Sequence, residues 1–325
     1  MCIRDRALPQ WAFQAHSVAD SIIVESAANR YTWVSLNRDS QFLEHGSSLM
    51  LDSNQKLADG DAAMQPAGNC NTPANEPLAP RSEAQDRTDL ANAFRLAEAF
   101  GFHEGICNHF SVKLDCEEER YLINPYGTHW SEMQDDSLLL IDGDGRVLSG
   151  QGEVEDSAKF IHIGGHRANP RHKALLHTHM PYATAITMVE NGRLEMSHQT
   201  AVKFYGRTEY QQTFGGIALS AEEGERLADG ARNKQHVDIT FLSSHGVVVG
   251  GESVAVAFDD LYYLERACRQ QLFAMQTGLP LKQLDSDVIE LTVVQLKGDA
   301  RHFANEHFRA LSRVISQDPQ HRFVL

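Results

Sequence analysis

Cysteine is scarce and scattered in this chain. Its 325 residues include five cysteines, Cys2, Cys70, Cys107, Cys116 and Cys268, an odd number with no CxxC pair. That pattern excludes a disulfide framework and points to a reducing compartment, so a cytoplasmic location is expected. Long apolar runs are missing too: no stretch approaches a membrane span, and no signal-peptide pattern opens the chain. Positive charge is in deficit, with 29 basic against 44 acidic residues and a formal net charge of −15. Without a basic patch such a chain repels phosphate backbones and anionic bilayers, so neither nucleic acid nor a membrane is expected as partner. What is present is ordinary globular composition, 42% hydrophobic and 22% charged, enough for a sizeable core.

The chain divides by composition. Residues 1–84 are expected to form a largely disordered leader, ahead of a domain over 85–325 with a C-terminal helical extension. Within the leader, Ser21 to Val34 is compatible with a strand pair or a short helix. Gln65 to Pro80 carries Pro66, Pro73, Pro77 and Pro80 among small polar residues. Helical periodicity begins with Leu90, Phe94, Ala97 and Phe100, with Thr88 as candidate N-cap and Gly101 as stop. Strand signals follow at Phe110–Leu114, Tyr121–Ile123 and Leu138–Ile141. The last leads through Asp142-Gly143-Asp144-Gly145 into Arg146–Leu148; the other calcium-loop ligands are absent, so this is a hairpin turn.

Further on, helices are expected at Phe160–Ala168, Tyr182–Val189, Ala221 to about Ala231 and Val254–Met275. Strands are expected at Ala174–His179, Val237–Leu242 and Val247–Val249. Strands alternating with helices, some joined by tight turns, predict an α/β domain whose mixed sheet is covered on both faces.

The chemistry concentrates in Leu175-Leu176-His177-Thr178-His179. On a strand, positions i and i+2 share a face, so both imidazoles project together while Thr178 faces away. They sit at the C-terminal end of their strand, where α/β sheets place their sites. Two such histidines alone also fit surface or hydrogen-bonded residues. His245, in Ser243-Ser244-His245-Gly246 at the end of another apolar strand, supplies a third nitrogen. Three neutral imidazoles with an open fourth position describe a catalytic zinc site.

With Pro181-Tyr182-Ala183-Thr184-Ala185 after the His-Thr-His, these residues resemble the class II aldolase/adducin family. Further matches are Gly105-Ile106-Cys107-Asn108-His109-Phe110-Ser111-Val112 and Leu122-Ile123-Asn124-Pro125-Tyr126-Gly127. Phe204-Tyr205-Gly206-Arg207 and Tyr263-Leu264-Glu265-Arg266 are similar to its adducin-like branch. The resemblance covers about residues 87–290. It implies a three-layer α/β/α sandwich with a mixed central sheet and a divalent metal, Zn2+ first and Fe2+ or Mn2+ as alternatives. It also implies a small-molecule substrate and a homo-oligomer, expected here as a tetramer. The helix Val254–Met275, with more apolar residues than one packing face needs, supports that expectation of assembly. By the same resemblance Asn108, Ser111, Gly127 and Ser157 fall on substrate-binding positions.

Two departures stand out. Asp156 breaks the family's Ser pair and would repel a phosphate dianion. Ala158 stands where the family's aldolases carry a proton-shuttling Glu. His162, one helical turn further on, and His198 are the candidate replacements as acid–base groups, while Tyr205 reads as packed core. The leading expectation is a metal-dependent lyase that reaches an enediolate-type intermediate by aldol cleavage or decarboxylation. Its rivals are a non-catalytic adducin-like module with an actin- or spectrin-type partner, and an Fe(II) oxygenase on the same scaffold. From composition, a chain beginning near Ser82 is expected to keep its solubility and melting temperature in a thermal scan. A large fall in either would place the leader in the core.

Overall fold

The computed structural model describes residues 21–26, 30–35 and 80–325, apart from 230, 231, 233 and 235. It forms two units, Met1–Asn69 and Cys70–Leu325. In the first, β1 (Ser21–Ser26) and β2 (Arg30–Ser35) pair antiparallel, so the strand pair is the conformation adopted there. The rest of the expected leader up to residue 79 lies outside the described residues. Among the described residues no helix is long and apolar enough to cross a membrane.

The second unit opens with α1 (Glu83–Ala99). Its N-cap is Ser82, not Thr88: the Ser82 hydroxyl accepts from Gln85 N–H while the Gln85 side chain accepts from Ser82 N–H, a closed capping box. Thr88 lies inside the helix, its hydroxyl donating to Ala84 O at 3.1 Å. The stop is where the sequence puts it, with Gly101 at φ +74°.

Eight strands make one sheet. Four of them, β3 (His109–Lys113), β4 (Arg120–Ile123), β5 (Leu139–Asp142) and β6 (Val147–Ser149), form a meander. The turn between the last two is the expected hairpin, Asp142 Oδ1 accepting from Asp144 N–H and Arg146 N–H. After α2 (Asp156–Ala168) comes β7 (Ala174–Thr178), which pairs with β3. Then follow α3 (Pro181–Thr187), α4 (Gln199–Val202), β8 (Thr208–Tyr210), α5 (Ala221–Asp229), β9 (Ile239–Leu242) and β10 (Gly246–Gly251). The sequence reading had only a polar loop where α4 and β8 lie.

The spatial order is β6-β5-β4-β3-β7-β10-β9-β8, antiparallel throughout except for the parallel pair β8–β9. Helix α6 (Val254–Met275) has the predicted bounds, and α7 (Ser286–Lys297) and α8 (Ala300–Gln317) complete the chain.

Strand alternation sorts side chains between two helical layers. In β4, Leu122 joins the larger core with Phe94, Phe110 and Trp130, on the side of α1, α3 and α6. Tyr121 and Ile123 join a smaller cluster with Ala158 and Ile163 of α2. The architecture is therefore an α/β sandwich with a mixed central sheet. Helix α6 packs against α1, α3, α4 and α8 of its own chain. Most of its apolar residues are used there, while Phe273 and Met275 near its C-terminal end stay exposed.

Buried Glu265 of α6 ties the core to the segment that follows β7. Its two carboxylate oxygens accept from Tyr182 N–H and Ala183 N–H, each at 2.8 Å, in the first turn of α3. Glu265→Ala strands both donors and is expected to lower stability by about 1–3 kcal/mol per unsatisfied group, read from urea denaturation. An unchanged midpoint would show that water replaces the carboxylate.

Candidate metal centre

The alternation of β7 continues past its end, sending Leu175, His177 and His179 towards the α2 layer. Thr178 faces the other layer, where its hydroxyl donates to Phe102 O at 2.6 Å and accepts from Met180 N–H at 2.8 Å. His245 arrives on the β9–β10 turn. Ser244 in that turn takes the left-handed conformation, φ +50°. At Gly246 an added Cβ would meet Thr178 O at 2.6 Å and His179 Cδ2 at 2.8 Å, so glycine lets the turn seat against β7. The three rings lie 4.7–5.1 Å apart by centroid, and one nitrogen from each falls within 4.8 Å of the others.

The orientation of the rings is built in. His177 Nδ1–H donates to Val247 O at 2.9 Å, and His179 Nδ1–H donates to the Glu104 carboxylate. Both therefore turn Nε2 to the shared space, and His179 Nε2 is buried with no protein partner. A buried polar nitrogen left unpaired is costly. A carboxylate or carbonyl behind each imidazole is the usual support of a metal-bound histidine. Burial, reinforced by the neighbouring imidazoles, holds His177 well below the usual histidine range and His245 down to about 4. Both are neutral near pH 7, the form that ligates, so the donor set fits a divalent ion.

A second group, Glu98, His103 and His129, also gathers its ligand atoms within 4.8 Å. There Glu98 is held by Arg322 at 3.0 Å, and His129 Nδ1 accepts from Ser131 N–H at 3.3 Å as the cap of a short helical turn.

Asn108 stands at the first centre. In the left-handed region at φ +77°, it accepts from His179 N–H through Oδ1 at 3.3 Å, and its buried Nδ2 has no partner. Asn124 reaches from the end of β4 to Asn108 O at 3.4 Å, linking the turn that carries Gly127. Gly127 has φ +85° with open space around it. Ser157, in the first turn of α2, donates to Glu155 Oε1 at 2.8 Å.

Other candidates are placed differently. Ser111 is fully buried, and its hydroxyl lies between His162 and His166 (Nε2 at 2.8 Å), so it is committed away from any substrate. His162 is buried with both ring nitrogens engaged, and burial pulls it down to about 3; a direct proton transfer to substrate is not open to it. His198 is the N-cap residue of α4 and lies beside Gln270 of α6. Tyr205 is not core: it is 46% exposed. Ala158 is 2% exposed inside the smaller apolar cluster.

Sequence reasoning missed Glu104, His109 and His166. The signal was there: His109 and Ser111 alternate on one strand, and His162 and His166 stand one helical turn apart on α2. Polar residues at core spacing mark an inward face on each element, though not which partner it meets.

Comparison with known proteins shows the family and the fold. Residues 88–272 match the family model described as the class II aldolase and adducin N-terminal domain, and the chain belongs to that family. An adducin-related protein of Schizosaccharomyces pombe is 32% identical over 61% of this chain and 61% of its own length, so the chain spans about three fifths of that relative. The decarboxylase NovR of Streptomyces niveus is 29% identical over 63% of this chain and 75% of its own. The crystal structure of an aldolase II superfamily protein from Pseudomonas syringae superposes with a TM-score of 0.67 at 30% identity. It covers 76% of this chain and 98% of that one.

Each of His177→Ala, His179→Ala and His245→Ala is expected to abolish stoichiometric metal in elemental analysis. Glu104→Ala, which frees the His179 ring, should weaken metal affinity by roughly 10–100-fold. Full occupancy in His245→Ala would remove the third ligand.

Proposed function

We propose that this chain is a metal-dependent carbon–carbon lyase acting on a small hydroxy or keto acid or a sugar-like compound. The observation that carries the reading is His179 Nε2, a buried nitrogen turned by Glu104 towards two further imidazoles and left without a protein partner. A bound divalent ion would polarise a carbonyl or carboxylate and favour the enediolate-type product of carbon–carbon cleavage. Three imidazoles suit Zn2+ first, with Fe2+ or Mn2+ as alternatives.

The protein's own groups supply the rest. Asn108 Nδ2, buried and unpaired, is a donor for a substrate oxygen beside the centre. The open turn at Gly127 leaves room for the substrate body. Asp156 at the start of α2 opposes a phosphate, so an unphosphorylated substrate is favoured. Aldol cleavage and decarboxylation share the enediolate. That a decarboxylase and an aldolase-superfamily protein are both similar over this domain supports the lyase class and leaves the two reactions side by side.

Assembly into a homo-oligomer belongs to this reading. Its support is the exposed run Phe214, Ile217 and Leu219, whose Phe214 ring lies 6.2 Å from His245. The rival, a non-catalytic adducin-like module, draws on Ala158, which cannot carry a proton. An oriented, unpartnered imidazole nitrogen has no use in such a module.

The test is the purified protein, loaded separately with Zn2+, Mn2+ and Fe2+, against a panel of 2-keto and 2-hydroxy acids and of fuculose- and ribulose-type sugar phosphates. Metal-dependent turnover of an unphosphorylated acid is expected. Efficient turnover of the sugar phosphates would overturn the substrate assignment. No turnover at full metal occupancy would favour the binding module.

A further inference from the structure

Glu98, His103 and His129 meet where the end of α1, the segment that follows it and the turn at Trp130 come together. Their ligand atoms fall within 4.8 Å of one another, and none of the three belongs to the three-histidine centre. The local chain explains the meeting. Gly101 N–H donates to Glu98 O at 2.9 Å and Phe102 N–H to Ala97 O at 2.8 Å. The chain thus folds back over the last turn of α1 and brings His103 to Glu98. His129 is the N-cap of the short turn Trp130–Glu132, and its ring meets that of His103 edge-on, with centroids 5.2 Å apart.

Each side chain keeps a ligand atom to spare. His103 Nδ1 is buried without a hydrogen-bond partner, a costly state for a polar nitrogen. Glu98 is turned inward, its side chain 10% exposed; Arg322 binds Oε1 at 3.0 Å and leaves Oε2. His129 Nδ1 accepts from Ser131 N–H at 3.3 Å and lies 2.8 Å from Ser131 Oγ, which leaves Nε2. To ligate through Nε2 the neutral ring carries its proton on Nδ1, where Ser131 Oγ can accept it. That exchange gives up only the long bond from Ser131 N–H. An oxygen behind the far nitrogen is the usual support of a metal-bound imidazole.

Two imidazoles and a carboxylate are a donor set for Zn2+, with a fourth position open to water. Two features weaken it against the three-histidine centre: the Arg322 guanidinium repels a cation, and the His129 ring gives up a bond. An ion held this way exchanges with solution and is lost on desalting.

We propose that Glu98, His103 and His129 form a second, exchangeable Zn2+ site, separate from the three-histidine centre. Its role is that of a brace. Phe102 O accepts from the Thr178 hydroxyl at 2.6 Å, and the Glu104 carboxylate holds the His179 ring. His103 sits between these two residues, through which its segment reaches the end of β7. An ion that ties His103 to α1 and to the Trp130 turn steadies both contacts.

The experiment is calorimetric titration of Zn2+ into the desalted full chain. A weaker class of site is expected beside the tighter one. His103→Ala, His129→Ala and Glu98→Gln should each abolish the weaker class. Elemental analysis of the same desalted variants should show the metal of the three-histidine centre unchanged, which also reports that they fold. His177→Ala should do the converse, losing the tighter class and keeping the weaker. Added Zn2+ should raise the melting temperature of the desalted protein, and should not raise that of His129→Ala, because an ion bound only to the folded chain stabilises it. If His103→Ala fails to fold, His129→Ala and Glu98→Gln decide in its place. Zinc binding that is the same in the unmodified chain, His129→Ala and Glu98→Gln would overturn the proposal, whatever the three-histidine centre does.

Discussion

The candidate metal centre depends on the register of one strand. β10 lies between β7 and β9, pairing Val248 with His177 on one side and with Thr240 on the other. Because it runs antiparallel to both, its start lies beside the end of β7, and the turn that feeds it carries His245 to His179. The opposite flank of β7 is fixed by the same kind of pairing, which sets His109 across from His177. A slip of one residue would turn His177 to the layer that now receives Thr178 and Leu176, and the centre would vanish. Register here is pinned from both faces. Leu176 is locked into the larger core, and Leu175 presses against Gly165 of α2, where an added Cβ would approach within 2.7 Å of Leu175 Cδ1.

The two faces of the sheet do different work. The layer holding α1, α3 and α6 is a continuous apolar core built around Phe94, Phe110 and Trp130, whose rings meet at 4.7–5.0 Å. Burial of that kind supplies most of the free energy that offsets chain entropy. The α2 layer spends part of its area on buried histidines, and such groups are tolerable only when paired. Here each pairing is explicit. Of the buried polar atoms left without a protein partner, His179 Nε2 and Asn108 Nδ2 stand together at the end of β7. Two of the three described non-glycine residues in left-handed backbone, Asn108 and Ser244, occupy the loops that frame the same spot. Conformational strain and unmet hydrogen bonds converge where a ligand would relieve them.

Much of this was legible in the sequence, for identifiable reasons. Period-two alternation in Leu175–His179 places both imidazoles and Thr178 correctly, since that inference needs only local geometry. The bounds of α6 are readable because its apolar spacing is long and uninterrupted. The start of α1 was not, because Thr88 and Ser82 are both good capping residues and only the reciprocal bond to Gln85 separates them. Tyr205 misled because an aromatic beside buried Phe204 looks like core, while the turn there leaves it outside. Ser111 and His162 were assigned to substrate chemistry one at a time. Their engagement with each other is a contact between a strand and a helix about fifty residues apart, and no local periodicity encodes it.

That contact also gives Ala158 a physical meaning. The residue stands one helical turn before His162, in an apolar cluster with Tyr121, Ile123 and Leu139. A carboxylate there would be buried beside imidazoles and would be stabilised by drawing a proton onto them, because a nearby negative charge favours the charged form of histidine. A protonated His162 would donate from both nitrogens, towards His109 Nδ1 and Ser111 Oγ. A small apolar side chain at 158 brings no charge to the imidazoles, and burial holds His162 and His166 below the usual histidine range. Ala158 keeps charge away from buried His162, whose two ring nitrogens are already engaged by His109 and Ser111.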